Sequence, residues 1–257
     1  EIVLATMLFS IQLFADFSAC SDIAIGCARL LGIRLSENFK QPHFAVSIAD
    51  FWNRWHITLS MWLRDYIFMP LAKGKKKREQ IYGAILATFL VSGIWHGAAW
   101  NFVLWGLIHG IYRVFGDHTK QQREKMASWV GFDRVPTLHR WWKIAITFQL
   151  VCFSRVFFQS HSMAEAFSHA KLYVTPSSWA PSGMLQAIQI FSLLDLIIFL
   201  VVFVVVHLFQ HIERTRGSAW DWMARQSAVT SVAINLFLII SAFLFGVSSQ
   251  GFVYGGF

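Results

Sequence analysis

Between Ser227 and Val247 the chain carries no charged side chain, and from Leu196 to Val206 it is an unbroken run of Leu, Ile, Phe and Val. A helix of about 20 such residues crosses a hydrocarbon core roughly 30 Å thick. Without water there, only helices or closed barrels satisfy their own backbone polar groups. Composition extends the point to the whole chain: 56% of the residues are hydrophobic, 14% are charged, and 25 are Phe and 12 Trp. Too little polar surface remains to solvate a water-soluble domain of 257 residues. The chain is read as an all-α, multi-span membrane protein. A net charge of +8 would suit nucleic acid if it formed one patch, but the basic residues sit in short clusters between apolar runs. That is the pattern of cytoplasmic loops, so no nucleic-acid partner is expected. Cys20, Cys27 and Cys152 all lie in apolar segments and give no disulfide framework.

The first crossing is expected from Ile2 to about Arg29, with Asp16 and Asp22 facing protein or water and Arg29, Arg34 and Lys40 marking a cytoplasmic end. Over Ile48 to Phe68 the pattern changes. Ile48, Phe51, Trp52, Trp55, Leu59, Trp62, Leu63 and Tyr66 form an apolar stripe opposite Asn53, His56, Ser60 and Arg64, which predicts one amphipathic helix at the interface. Lys73, Lys75, Lys76, Lys77 and Arg78 follow and should stay cytoplasmic. The apolar region Ile81 to Tyr112 is too long for one simple crossing and is broken by Gly93 and Gly97. Basic residues from Arg113 to Lys143 put its far end on the cytoplasmic side as well. A bent or re-entrant pair with His96 near the apex satisfies both observations, each arm of about 15 residues reaching roughly 22 Å; a tilted continuous helix is the alternative. Ile144 to Phe158 is a further span. The stretch to Gly183, with Pro176 and Pro181, reads as an extracytoplasmic loop. Leu185 to Val206 and Ser227 to Val247 complete the crossings, leaving Ser248 to Phe257 outside.

Two of the ten histidines directly follow a tryptophan: Trp55-His56 and Trp95-His96. A titratable ring at membrane depth is expensive, and marks a functional site by default. An imidazole shielded from water is an uncharged base able to take a proton from a hydroxyl, although such a ring also serves simply to bond a carbonyl between helices. His109 lies too far along the same helix to share a metal with His96, and no metal site is expected.

Several ordered stretches resemble one family. They are Phe14-Ala-Asp-Phe-Ser-Ala-Cys-Ser-Asp-Ile-Ala-Ile-Gly26, Glu37-Asn-Phe-Lys-Gln-Pro42, Asp50-Phe-Trp-Asn-Arg-Trp-His-Ile-Thr-Leu-Ser60 continuing to Trp62-Leu-Arg-Asp-Tyr66, and Ser92-Gly-Ile-Trp-His-Gly-Ala98 continuing through Trp100-Asn101 to Trp105-Gly-Leu-Ile-His-Gly110. Together they are similar to the membrane-bound O-acyltransferases, in particular the bacterial branch resembling alginate and peptidoglycan O-acetyltransferases. The match is looser around Phe153-Ser-Arg-Val-Phe-Phe-Gln159 and over Phe252 to Phe257.

The resemblance implies a polytopic helical bundle, with bent or re-entrant helices around a central catalytic tunnel or funnel. Residues 1–257 would be a single membrane domain of this type, the C-terminal part, without the family's N-terminal helices. The family's catalytic histidine falls on His96, with His56 as its companion. Asn53, Arg54, Trp95, Asn101 and Arg64 are the candidate substrate- and donor-binding residues, with Asn53 or His56 polarising a carbonyl. Arg64 beside Asp65 also reads as a local ion pair, and Lys73 to Arg78 as an orientation signal rather than a donor clamp. The implied co-substrate is acetyl-CoA or another acyl thioester, with no bound cofactor. The implied partners are a periplasmic SGNH-type acetyltransferase, a polysaccharide acceptor and the lipid bilayer of the bacterial inner membrane. His96 serves as catalytic base or as acyl relay. Two other classes compete: a transporter exporting an envelope precursor, motivated by Asp16, Asp22, Arg155 and Asp195 within apolar segments, and a non-catalytic scaffold for a periplasmic acyltransferase.

Overall fold

A computed structural model describes residues 2–182, 188–189, 192–216, 222–223 and 225–245. Among the described residues every regular element is helical. The expected start of a span at Leu185, the loop end at Gly183, the segment from Val247 to Phe257, and the side chains of Asp195 and Arg214 lie outside the described residues. The chain divides into two compact units, one up to residue 190 and one beyond it.

Within the first unit, α1 spans Ile2–Leu30, close to the expected crossing, and among the described residues it is the one helix long and apolar enough to cross a membrane. Its buried positions, Val3, Thr6, Ser10, Leu13, Phe14, Ser18, Ser21 and Ile25, recur every three or four residues. Their small hydroxyl side chains let the helix lie close against its neighbours, as apolar surroundings favour. Thr6 Oγ1 satisfies itself locally by donating to Ile2 O at 2.8 Å. Helix α1 packs on α8 (Pro136–Gln159) and α9 (Met163–Val174). Helix α8 also touches α2 (Ile48–Trp52) and α6 (Trp100–His118), so the unit is assembled around it.

The segment 48–68 departs from the expected single helix. It breaks into α2, α3 (Ile57–Leu63) and a wide π-type turn over Arg64–Phe68 that leads into α4 (Met69–Ala72). The stripe survives in part: Ile48, Phe51, Trp52, Trp55, Leu59 and Leu63 are buried, whereas Trp62 and Tyr66 are exposed. The break occurs because His56 adopts the left-handed conformation, with φ at 43°, which rotates everything after it off the register of the first turn. Ser47 caps α2 by accepting from Asp50 N at 3.1 Å while Asp50 Oδ2 accepts from Val46 N at 3.0 Å, a reciprocal cap that periodicity alone does not reveal.

Residues 78–118 form two helices, α5 (Arg78–His96) and α6, joined at Gly97 to Ala99, in place of a continuous helix. The pair packs along its whole length. Glycine makes that possible, since a Cβ on Gly93 would strike the Phe102 carbonyl and one on Gly106 the Phe89 carbonyl. At the other end the Tyr82 hydroxyl donates to Asp117 Oδ2 at 3.3 Å. The start of α5 and the end of α6 are therefore neighbours, and the basic segments 73–78 and 118–125 emerge from the same end of the hairpin.

Two regions read as loops contain helices. Helix α7 (Lys120–Trp129) is wholly polar or exposed, and α9 lies in the stretch before Pro176. Ser162 and Glu165 cap α9 reciprocally, with Ser162 Oγ accepting from Glu165 N at 3.2 Å and Glu165 Oε2 accepting from His161 N at 2.9 Å. Helix α8 begins well before the expected Ile144, with Pro136 in its first turn. The second unit holds the helices Leu193–Arg216 and Ala228–Phe245. The first of these runs past the expected end at Val206. Both turn large apolar side chains outward, including Leu193, Leu200, Phe237 and Phe243, a surface suited to lipid.

Candidate active site

His96 is the last residue of α5, at the point where the hairpin opens. Its ring sits edge-on to three aromatics, with centroid distances of 4.8 Å to Trp95, 5.0 Å to Trp105 and 5.3 Å to Phe158. The ring is half-buried, while Trp95 and Trp100 at the mouth are 53% and 75% exposed. Packing fixes the imidazole and leaves one side of its surroundings open.

His56 is delivered to the same place by the break between α2 and α3. Its ring lies 6.0 Å from Trp95 and 4.8 Å from Phe17 of α1. Both histidines therefore bear on one indole, from elements distant in sequence. The left-handed backbone at His56 costs on the order of 1 kcal/mol for a non-glycine residue, and neighbouring segments hold it there. Lys40 N donates to Arg54 O at 2.9 Å and Ile57 N to Asn38 O at 3.0 Å. Asn38 Oδ1 accepts from Thr58 N at 3.2 Å and from the Thr58 hydroxyl at 2.7 Å. Phe39 wedges edge-on against Trp55 and Phe17, each at 5.0 Å. The stretch Glu37 to Pro42 thus acts as a brace for the histidine turn.

The other expected site residues divide. Asn53 is exposed on the same turn as His56. Arg54 is half-buried in an ion pair, its Nε 2.8 Å from Asp50 Oδ1, and its Nη1 donates to Lys40 O at 3.4 Å. Arg64 is exposed in the π-type turn and pairs with Asp65 at 2.7 Å. The bond from Arg64 holds the Asp65 carboxyl below the usual carboxylate range. Asn101 is buried at the start of α6 and donates to Ser160 O at 2.8 Å, tying the hairpin to the end of α8. Of these residues, His56 and His96 each contact Trp95.

Sequence reasoning gave His109 no positive role, yet it organises the interior behind the mouth. It is 1% exposed. Trp52 Nε1 donates to its Nδ1 at 3.3 Å, and its Nε2 lies 2.8 Å from Ser154 Oγ, which itself donates to Val151 O at 2.7 Å. With the serine proton committed to that carbonyl, the consistent arrangement has Nε2–H donating to Ser154 and Nδ1 accepting from Trp52. One uncharged ring thereby ties α2, α6 and α8 together. Arg155, on the next residue of α8, is 2% exposed and lies over the Trp55 ring at 4.5 Å and the Phe158 ring at 5.6 Å. Its one signal in the sequence is a charge within an otherwise apolar run.

Near His96, three buried polar atoms have no hydrogen-bond partner among the described residues: His56 Nδ1, Ser92 Oγ and Trp105 Nε1. Ser92 lies one turn before His96 on α5, and Trp105 is in contact with the His96 ring.

The MBOAT, or membrane-bound O-acyltransferase, family matches residues 2–154, which takes in both histidine segments and the brace. The chain belongs to this family. Family membership makes it a membrane-bound protein. It is 37% identical over 174 residues to a probable alginate O-acetylase of Pseudomonas putida, covering 66% of this chain and 32% of that protein. It is 36% identical over 172 residues to a peptidoglycan O-acetyltransferase of Helicobacter pylori, covering 65% of this chain and 30% of that protein. It is also 34% identical over 152 residues to a teichoic acid D-alanyltransferase of Bacillus subtilis, covering 56% of this chain and 38% of that protein. The chain spans about a third of the length of these curated relatives. The names of these relatives describe acetylation of alginate, acetylation of peptidoglycan and D-alanylation of teichoic acid.

Proposed function

We propose that this chain carries the histidine centre of an O-acyltransferase that moves an acetyl group from a cytoplasmic thioester, acetyl-CoA, to hydroxyls of a cell-envelope polysaccharide. In this reading it lies in the bacterial inner membrane with several crossings, and residues 1–257 form one membrane domain. The α5–α6 pair is re-entrant, with its basic end in the cytoplasm and His96 at the head of a tunnel. A periplasmic SGNH-type protein completes delivery to the glycan. The observation that carries the proposal is the convergence of His56 and His96 on Trp95 at the open end of the hairpin. The acceptor chemistry of the relatives named above supports the envelope substrate.

In direct transfer the acceptor hydroxyl oxygen attacks the thioester carbonyl carbon. A C–O bond forms, the hydroxyl proton passes to His96, and the carbonyl electron pair moves onto oxygen. Collapse restores the carbonyl and breaks the C–S bond, and His96 returns the proton to the departing thiolate. The buried rings of Trp105 and Phe158 shield one side of the imidazole from water that would otherwise hydrolyse the thioester. In the relay variant, His96 carries the acyl group between two such steps. Asn53 and His56 face the donor. We assign Arg54 and Asn101 the task of holding the turn and the hairpin mouth, because their polar atoms are already engaged there, and Arg64 with Asp65 an exposed structural pair.

The test is acetyl transfer from labelled acetyl-CoA in intact membranes carrying the protein and its partners. His96→Ala should remove transfer while the protein still inserts. Undiminished acetylation of the polymer in that variant would sink the proposal.

A further inference from the structure

Trp105 presents a problem that the packing around it does not solve. Its side chain is 2% exposed, and its indole N–H has no hydrogen-bond partner among the described residues. A buried donor left in this state is costly, and native folds rarely keep one without a use for it. Four aromatic rings pack against Trp105: His96 at 5.0 Å, His109 at 4.9 Å, Phe158 at 5.2 Å and Trp52 at 5.9 Å. Trp52 spends its own indole N–H on His109. Two adjacent buried indoles are thus treated differently, one satisfied by the protein and the other held against the candidate base with its donor uncommitted. Phe would fill an aromatic slot without that cost.

Building on the acyltransferase reading of His96, we propose that the Trp105 indole N–H is a catalytic hydrogen-bond donor that receives the carbonyl oxygen of the acyl group as it becomes an oxyanion. The acceptor oxygen bonds to the carbonyl carbon, the π pair moves onto the carbonyl oxygen facing Trp105, and the proton goes to His96. Expulsion of the thiolate then returns the electron pair and releases the bond to the indole. A preorganised donor in a dry site acts where charge develops and needs no reorientation at that moment. Ser92 Oγ, one turn from His96, likewise has no hydrogen-bond partner among the described residues.

The experiment replaces Trp105 by benzothienylalanine, which keeps the bicyclic shape but has sulfur in place of the N–H, and separately makes Trp105→Phe. Acetyl transfer from labelled acetyl-CoA is measured in membranes containing the assembled protein, alongside thermal melting in detergent. We expect kcat to fall about a hundredfold in the isostere, with KM for acetyl-CoA within about twofold of wild type. Its melting temperature should be unchanged or higher, because an unsatisfied buried donor has been removed. A wild-type kcat would overturn the inference, as would a change confined to KM. A melting temperature that falls together with kcat, or failure of both variants to accumulate in the membrane, would assign the N–H to a structural bond and overturn it equally. His96→Ala run in parallel separates the two levels. If it retains transfer, the reading of His96 fails; if it is inactive while the isostere behaves as wild type, only the role of Trp105 fails.

Discussion

The two histidines of the α5–α6 hairpin, His96 and His109, share the Trp105 ring at almost equal distances, 5.0 and 4.9 Å. They live under opposite conditions. His109 is sealed in, both nitrogens are engaged, and its bonds reach α2 and α8. His96 ends a helix, is half-buried and looks onto exposed indoles. In one case the protein uses imidazole as a three-way joint, and in the other it places imidazole at a helix end beside partly exposed indoles.

The sharpest way to break this contrast is to exchange the same side chain at both positions. His96→Gln should lower acetyl transfer by about 10²- to 10⁴-fold, the range of a lost general base, with little change in thermal stability. His109→Gln should instead destabilise on the order of 3 kcal/mol, as loss of a buried network does, read as a lower melting temperature in detergent. Similar losses of stability at both sites would erase the distinction. Next in size is Gly106→Val, whose side chain meets the Phe89 carbonyl. Overpacking of about 1–3 kcal/mol should open the hairpin and lower activity and stability together. Ser154→Ala leaves the His109 Nε2–H without its acceptor and should cost about 1–3 kcal/mol, with transfer per folded molecule nearly unchanged. The smallest effect is expected for Arg64→Ala: an exposed pair contributes little, so neither melting temperature nor KM for acetyl-CoA should move measurably. A large rise in KM would restore Arg64 as a donor anchor.

Much of the frame was legible before any coordinates. The first helix was expected within a residue of where it ends, because its apolar run closes on a basic residue. The hairpin was expected from basic residues at both ends of one over-long apolar stretch and from Gly93 and Gly97 near its middle. The helix at 48–68 was misread because the apolar spacing persists on both sides of His56 while the backbone turns between them. Helix α7 has no apolar face for periodicity to reveal, and α9 is short and followed closely by Pro176 and Pro181, whose turn signal dominates that stretch. In the candidate site, the two Trp-His pairs mark the histidines that the structure brings to one indole. Asn101 and Arg54 looked equally suited to a substrate and proved to be engaged with Ser160 and Asp50.

The sequence by itself determined that this chain is helical and that it belongs with lipid, and it offered a bent pair over 81–112 beside a continuous helix. Those conclusions need only the local hydropathy pattern and the order of motifs along the chain. The tertiary structure decided which polar groups are already occupied and which are not. It bonded Trp52 to His109, left the Trp105 N–H without an acceptor among the described residues, and set His56 against Trp95 across a left-handed turn. A hydrogen bond between elements far apart in the chain leaves no periodicity to read. Its presence or absence is fixed only when the helices pack.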